Sequence, residues 1–240
     1  VNGHGGFYSA TSPDSFTAGL KDALKRAASR VGTGASLAAN STELKTGTFA
    51  YQANYHTAKW TGDLKAIAVD PDDGSLSTTA TWSAADPTVL PAFASRSIYT
   101  YNPDVSPAAA VAFTDPSTLS TKEQAALGAT AADQLNMINY LRGDNSLEQS
   151  QKDGIFRSRE TPLGDIVDSQ PVYVGQPDPN IFTGETFSGS TDFASYAGTA
   201  RTGQIFVAAN DGMLHVFDAD TGVEDYAYLP AAVITSGLKN

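Results

Sequence analysis

Two strand-like runs joined by a tight turn constrain the fold of this chain more than any other feature. Residues 204–209 and 214–218 are rich in β-branched and aromatic side chains and flank the sequence Asn210-Asp211-Gly212. Glycine supplies the positive φ that a tight hairpin turn needs. A second turn ends in Thr221-Gly222 and leads into a further strand-like run at 224–229. The segment therefore predicts an antiparallel meander.

Similar strand signals occur in two groups along the chain. The second group adds a run at 166–174 to the three above, and the long polar loop at 176–203 is expected to be exposed. The first group has runs at 48–55, 62–69, 78–82 and 96–101, separated by turn-rich stretches. Four consecutive antiparallel strands match the size of one propeller blade, and a plain meander in a sandwich is the alternative.

Helical signals stand before and between these groups. Ser12-Pro13-Asp14 is typical of a helix start, and apolar spacing predicts one amphipathic helix that ends near Gly32. Ser120 and Glu123 form a capping box ahead of an Ala- and Gln-rich stretch that Gly143 is expected to terminate. The chain is thus predicted to be mainly β, with two blade-like units around a helical insertion and one helix in front.

Composition excludes several classes of function. The formal net charge of −11 is the opposite of what binding to nucleic-acid phosphates needs. The absence of Cys excludes disulfides, thiolate metal sites and a Cys nucleophile. No apolar run approaches the roughly 18 residues of a membrane span. The sequence opens with Val1 rather than Met and runs directly into the glycine cluster Gly3-His4-Gly5-Gly6, so we expect it to be a piece of a longer chain.

Several segments together resemble one known family. They are residues 38–42 (AANST), 60–64 (WTGDL), 140–144 (YLRGD), 163–175 (LGDIVDSQPVYVG) and 208–217 (AANDGMLHVF). In this order they look like the PilY/PilC family of type IV pilus tip adhesins and biogenesis proteins, at the start of its C-terminal propeller domain. The turn ending in Thr221-Gly222 also resembles the repeat of quinoprotein-like (PQQ-type) β-propellers, although that repeat has a Trp where Tyr226 stands nearest.

The resemblance implies a domain order and a function. Residues 1–34 would be a helix and linker, and the domain order of the family implies that they are the end of a von Willebrand A-like domain. Residues 35–115 would be the first blade-like unit, 116–162 the helical insertion and 163–240 the second unit.

The family implies a non-enzymatic component that supports pilus biogenesis, surface attachment and twitching motility. Its expected partners are minor pilins at the pilus tip and a host-surface receptor, with neither nucleic acid nor a transmembrane segment. Its expected location is extracellular, at the pilus tip or outer-membrane surface after passage through the periplasm.

Arg142-Gly143-Asp144 is the candidate receptor-binding motif, because it is an integrin-type tripeptide at the end of a helix. We predict that Arg142 and Asp144 are exposed. The alternative is structural, since Arg complements the dipole at a helix C-terminus and Gly favours the position after it.

Metal and catalytic signals are weak. Asp70-Pro71-Asp72-Asp73-Gly74 resembles a calcium loop, but Thr81 stands where the closing Glu would be, so a plain hairpin turn is the prediction. No cofactor is expected in this segment, and the family resemblance implies calcium in a later part of the full-length protein.

His4, His56 and His215 lie in no catalytic motif, and His215 is expected to be a satisfied or solvent-facing strand residue. The aromatic residues are expected to pack between sheets. The alternative function is a fragment of a periplasmic quinoprotein dehydrogenase.

Overall fold

The structure is a computed structural model that describes residues 35–40, 47–56, 61–184 and 187–237. The helix predicted within residues 14–31 lies outside the described residues, and so does Trp60. Within the described part, the chain is mainly β with a few helices.

The first sheet is an antiparallel meander of four strands in the order β1-β2-β3-β4. Its strands are β1 (Ala35–Ala39), β2 (Phe49–His56), β3 (Thr61–Ala68) and β4 (Trp82–Ser83). The predicted runs at 48–55 and 62–69 correspond to β2 and β3, whereas the run at 78–82 yields only the two-residue β4. The strand β1 was not predicted, because its small residues carry no alternating apolar pattern.

The second sheet has six strands in the order β6-β5-β10-β9-β8-β7. They are β5 (Ile98–Asn102), β6 (Ala109–Ala112), β7 (Val172–Val174), β8 (Gln204–Ala208), β9 (Leu214–Asp218) and β10 (Glu224–Tyr228). The hairpin predicted from the Asn-Asp-Gly turn is confirmed, with Phe206 paired to Val216. Of the run predicted at 166–174, only the last three residues form a strand.

The position of β5 corrects the predicted strand grouping. The run at 96–101 was expected to complete the first unit, but β5 pairs in parallel with β10, placing Ile98 opposite Ala227. The physical reason is burial: Ile98 and Thr100 alternate with exposed Tyr99 and Tyr101, so β5 has one face suited to the helical side of the second sheet. As a consequence β10 lies inside the sheet, between β5 and β9.

The helical insertion consists of α1 (Thr121–Leu127) and α2 (Ala131–Arg142). The capping box of Ser120 and Glu123 is confirmed, and Thr130 with Asp133 forms a second one that divides the stretch into two helices. Gly143 ends α2 with φ at +115°, as predicted. Two further helices were not predicted: α3 (Ser190–Ala197) in the long loop and α4 (Ala231–Gly237) after Pro230.

Two apolar clusters share one face of the second sheet. In the first cluster, Tyr51, Leu64 and Trp82 from the first sheet pack with Ile205 and Phe217. In the second, side chains from α1, α2 and α4 pack on β5 and β10; its members include Leu127, Ile138, Leu141, Ile234, Ile98 and Ala227. The opposite face of the sheet carries the partly exposed side chains of Tyr99, Leu214 and Tyr228. The second sheet therefore joins the two units, while the division into residues 35–115, 116–162 and 163–240 stays a prediction.

Candidate functional site

A fully buried histidine lies where the two apolar clusters meet. His215 on β9 is paired across the sheet with Val207 on one side and Ala227 on the other, and these belong to different clusters. The imidazole has no solvent exposure. Its Nδ1 lies 2.7 Å from Glu224 Oε1, and its Nε2 lies 3.0 Å from Asp211 Oδ2. His215 is thus a satisfied interior residue, one of the two interpretations that the sequence left open.

The two carboxylates keep the imidazole charged. Burial alone would lower the pKa of His215, but Asp211 and Glu224 outweigh it and raise the pKa to about 9. Burial would likewise raise the pKa of Glu224, but hydrogen bonds from Arg96 and His215 lower it to about 2. At neutral pH both ring nitrogens of His215 therefore donate to carboxylate oxygens.

Arg96 extends the arrangement into a chain of alternating charges. Its Nε donates to Glu224 Oε2 at 2.7 Å and its Nη2 donates to Glu224 Oε1 at 2.8 Å, a bidentate pair. The third nitrogen, Nη1, donates to the carbonyl of Arg142 at 2.8 Å. We call Arg96, Glu224, His215 and Asp211 the ionic chain. Its four formal charges sum to zero, which offsets much of the cost of burying each one.

Asp211 carries the ionic chain to the surface of the hairpin turn. One of its carboxylate oxygens accepts from the backbone N–H of Met213 and the other accepts from that of Gly164, both at 3.0 Å. The turn itself is the predicted one, with Gly212 at φ +90°. Gly164 approaches so closely that an added Cβ would lie 2.3 Å from the Asp211 backbone nitrogen. Asp211 therefore fixes residues 163–165 against the turn between β8 and β9.

The predicted exposure of Arg142 is wrong. Arg142 is only 3% exposed, and its guanidinium donates to four backbone carbonyls at 2.7 to 3.3 Å, those of Phe93, Ala94, Arg96 and Phe113. The physical reason is that the short 3-10 helix at residues 93–95, the residue after it and the residue after β6 direct carbonyl groups toward the last turn of α2. A planar side chain with several donors can satisfy all of them.

The other two residues of the tripeptide lie at the helix end. Gly143 adopts the left-handed cap, and half-buried Asp144 accepts a hydrogen bond from the Ser146 N–H at 2.9 Å. Receptor binding by Arg142, Gly143 and Asp144 remains a prediction. It would require a change that brings Arg142 out of the interior.

The acidic loop at residues 70–74 is a turn, as predicted. The N–H of Asp70 donates to the Ser75 carbonyl at 2.8 Å, and that of Gly74 donates to the Asp70 carbonyl at 2.9 Å. Carboxylate oxygens of Asp70 and Asp73 accept from backbone N–H groups two residues further on. Among the described residues, no three His, Cys, Asp or Glu side chains are grouped so as to hold a metal ion.

The tryptophan within the described part is used in packing. Trp82 is 7% exposed and its indole N–H donates to the Ala219 carbonyl at 3.0 Å. Tyr51 lies against it, with the ring centroids 6.0 Å apart. The Trp82 ring also contacts the second turn at Gly222, which adopts φ +75°. A side chain there would be too close to the ring, since an added Cβ would lie 2.5 Å from it.

A cavity of about 570 Å³ lies beside the end of the ionic chain. Helix α2, residues 155–165 and the turn at 210–211 surround it, and Thr61 at the start of β3 adds to the wall. Met137, Leu141 and Leu163 supply apolar surface, while Asp165, Asn210 and Asp211 supply polar groups. Sequence reasoning missed this cavity and the ionic chain, because their residues come from distant segments and form no local motif.

Comparison with known proteins agrees with the resemblance found in the sequence. Residues 163–239 match the family model described as the PilY1 beta-propeller domain. A type IV pilus biogenesis factor PilY1 homolog from Xylella fastidiosa is 37% identical over 238 residues, which cover 97% of this chain and 18% of that protein. The type IV pilus biogenesis factor PilY1 of Pseudomonas aeruginosa strain PAK is 32% identical over 260 residues, covering 97% of this chain and 21% of that protein.

The chain thus spans about a fifth of the length of these curated relatives. The comparison with solved structures gave no match. In the described part of the chain, none of the helices has the length and apolar character needed to span a membrane. The similarity runs through both sheets and the helical insertion between them, and the chain belongs to the PilY1 family.

Proposed function

We propose that this chain is a non-enzymatic scaffold segment of a type IV pilus biogenesis factor and that it supports pilus assembly. The relatives that bear that name align with 97% of the chain. As part of such a factor, it would act outside the cell, at the pilus tip or outer-membrane surface, and bind minor pilins there. Surface attachment and twitching motility would depend on it through the assembled pilus, with a host-surface receptor as a further partner.

The observation that carries the scaffold role is the interlocking of distant segments. The region that matches the propeller family, residues 163–239, does not complete its sheet alone, because β5 and β6 from residues 98–112 extend it through the parallel β5–β10 pair. The buried Arg96–Glu224 pair reinforces the same junction. Hydrogen-bonded strands joined in this way keep the connecting loops in fixed relative positions.

The polar interior is suited to holding structure. His215 has no exposed surface and both of its nitrogens are engaged by carboxylates, so it is not placed to contact a substrate. Arg96, Arg142 and Glu224 are likewise buried and bonded within the chain. Each of these groups ties together elements that are far apart in the sequence.

The test is to weaken the junction in the full-length protein in its own cells. Glu224→Gln removes the charge shared by Arg96 and His215, and Asp225→Asn removes a neighbouring exposed carboxylate as the matched control. We expect fewer surface pili and less twitching for Glu224→Gln, with both unchanged for Asp225→Asn. Protease sensitivity of the segment shows that the junction has opened. Normal piliation in cells whose segment has become protease-sensitive would overturn the proposal.

A further inference from the structure

One buried carboxylate of the cavity is bonded unlike the others in the described part of the chain. Asp165 is 6% exposed and accepts a single side-chain hydrogen bond, from Asn210 Nδ2 to Oδ2 at 2.8 Å. The other buried acids have a cation within 3.3 Å, as at Asp63, Glu148 and Glu224, or, at Glu123, accept from Ser120 and Thr100 at a helix start. Asp165 forms no ion pair with a described residue. A buried carboxylate is costly without such a partner, and a cation bound at Asp165 would reduce that cost.

A second polar group, the hydroxyl of Thr61, lies in the same wall. Thr61 is 7% exposed and lines the cavity, and its hydroxyl forms no side-chain hydrogen bond within the described residues. Its backbone pairs with Gly164, directly before Asp165, so the two groups lie on adjacent parts of the wall. A hydroxyl oxygen and a carboxylate oxygen are both acceptors for an ammonium group, which carries three donors.

The remaining wall fits a long alkyl stem. Met137 and Leu141 project from α2, and Phe156 stacks on Tyr140 with the ring centroids 4.4 Å apart. The methylenes of a lysine can lie along apolar surface of this kind while the charged head reaches a polar group. Two arginines also line the cavity: Arg159 is paired with Glu148 at 3.0 Å, and Arg157 is exposed. Their positive charges disfavour several basic residues in a ligand, which favours one basic residue over a basic cluster.

We propose that this cavity binds the side chain of a single lysine presented by a partner polypeptide, with the ammonium at Asp165 and Thr61. The proposal deepens the proposed function and rests on it, because it names the chemistry of the partner that the scaffold would bind. Lysine fits better than arginine, since Asn210 already occupies one oxygen of Asp165 and leaves no free pair of oxygens for a guanidinium fork. The net charge of −11 favours approach of a cationic partner.

The test uses the 240-residue chain and three short peptides that differ at one central position: lysine, norleucine or arginine. Norleucine keeps the alkyl stem and removes the charge. Saturation-transfer NMR and titration give the relative affinities. We expect the lysine peptide to bind about tenfold more tightly than the norleucine peptide, the effect of one charged hydrogen-bonded contact. The arginine peptide should bind more weakly than the lysine peptide.

Two variants locate the contact. Asp165→Asn keeps the shape and should remove the preference for lysine over norleucine. Asp168→Asn removes an exposed carboxylate three positions further along the same segment and should leave that preference unchanged. Equal affinities for lysine and norleucine, no binding of either, tighter binding of arginine, or an unaltered preference in Asp165→Asn would each overturn the proposal.

The peptide experiment can fail independently of the proposed function. If Glu224→Gln reduces piliation and the lysine peptide does not bind, the lysine pocket is wrong and the scaffold role stands. If Glu224→Gln makes the segment protease-sensitive but leaves piliation normal, while the lysine preference depends on Asp165, the scaffold role in pilus assembly is wrong and the pocket chemistry stands.

Discussion

Arg96 and Glu224 are 128 positions apart in the sequence and form a bidentate pair with hydrogen bonds of 2.7 and 2.8 Å, almost completely shielded from water. Arg96 precedes β5 and Glu224 begins β10, the two strands that pair in parallel. The ion pair therefore stands at the start of the junction between the two halves of the chain, and His215 links it to the hairpin turn at Asp211.

Removing the Glu224 charge should strongly destabilise the fold. In Glu224→Gln, the buried cations Arg96 and His215 lose their shared anion, and breaking a buried pair in this way typically costs about 3–5 kcal/mol. Urea unfolding of the variant measures the loss. Asp225→Asn, at the exposed neighbouring position, should change the unfolding free energy by less than about 0.5 kcal/mol. Similar losses in both variants would contradict the assigned role of Glu224.

Stability should fall as the pH rises from neutral toward 10. The folded-state pKa of His215 is raised to about 9 from an ordinary value of 6.5, so its contribution is complete below pH 6.5 and is lost as the pH rises through 9. A shift of this size corresponds to about 3 kcal/mol. The unfolding free energy of the wild type and of His215→Asn, measured from pH 6 to 10, tests this. The variant should lack the decline attributable to His215, and an identical pH profile in both proteins would refute it.

Acid should weaken the fold by a separate route. The pKa of Glu224 is lowered to about 2 in the folded chain, so its contribution is present above the ordinary value of 4.5 and is lost as the pH falls toward 2. Unfolding measured between pH 6 and 2 should show a decline in the wild type. In Glu224→Gln the decline should be smaller, because the variant has no carboxyl group there to protonate. A decline of equal size in the variant would show that other acids cause it.

Arg142→Lys should separate a structural role of the tripeptide from a receptor role. Lysine keeps the charge but has no planar fork to reach all four carbonyls, so we expect a loss of about 1–3 kcal/mol in unfolding free energy. Asp144→Glu, at a half-buried position beside it, should cost less. Unchanged stability of Arg142→Lys together with reduced binding to an integrin-coated surface would instead support the receptor hypothesis.

The two turn glycines Gly222 and Gly47 offer a matched comparison. Both have positive φ, but an added Cβ at Gly222 would lie 2.5 Å from the Trp82 ring, whereas at Gly47 it would meet nothing within 4 Å. Gly47→Ala should cost about 1 kcal/mol from backbone strain alone. Gly222→Ala should cost more, because Trp82 must also move. Equal losses in thermal or urea unfolding would show that the ring contact adds nothing.

Local sequence determined the elements whose cause is local. The Asn-Asp-Gly turn, the strands around it, the capping box at Ser120 and the glycine end of α2 all follow from residues within a few positions of one another. Family membership could also be inferred from the sequence, because the combination of short motifs in a fixed order is specific even where each motif is weak.

Only the tertiary structure decided where β5 pairs, that Arg142 is buried, and that the ionic chain and the cavity exist. Strand periodicity specifies which face is buried but not which strand lies alongside, so β5 could be assigned to the wrong sheet. Arg96 and Glu224 carry no signal of each other across 128 positions. Arg142 reads as a surface residue until the carbonyls of residues 93–96 and 113 are placed around it, because its burial depends on acceptors supplied by other parts of the chain.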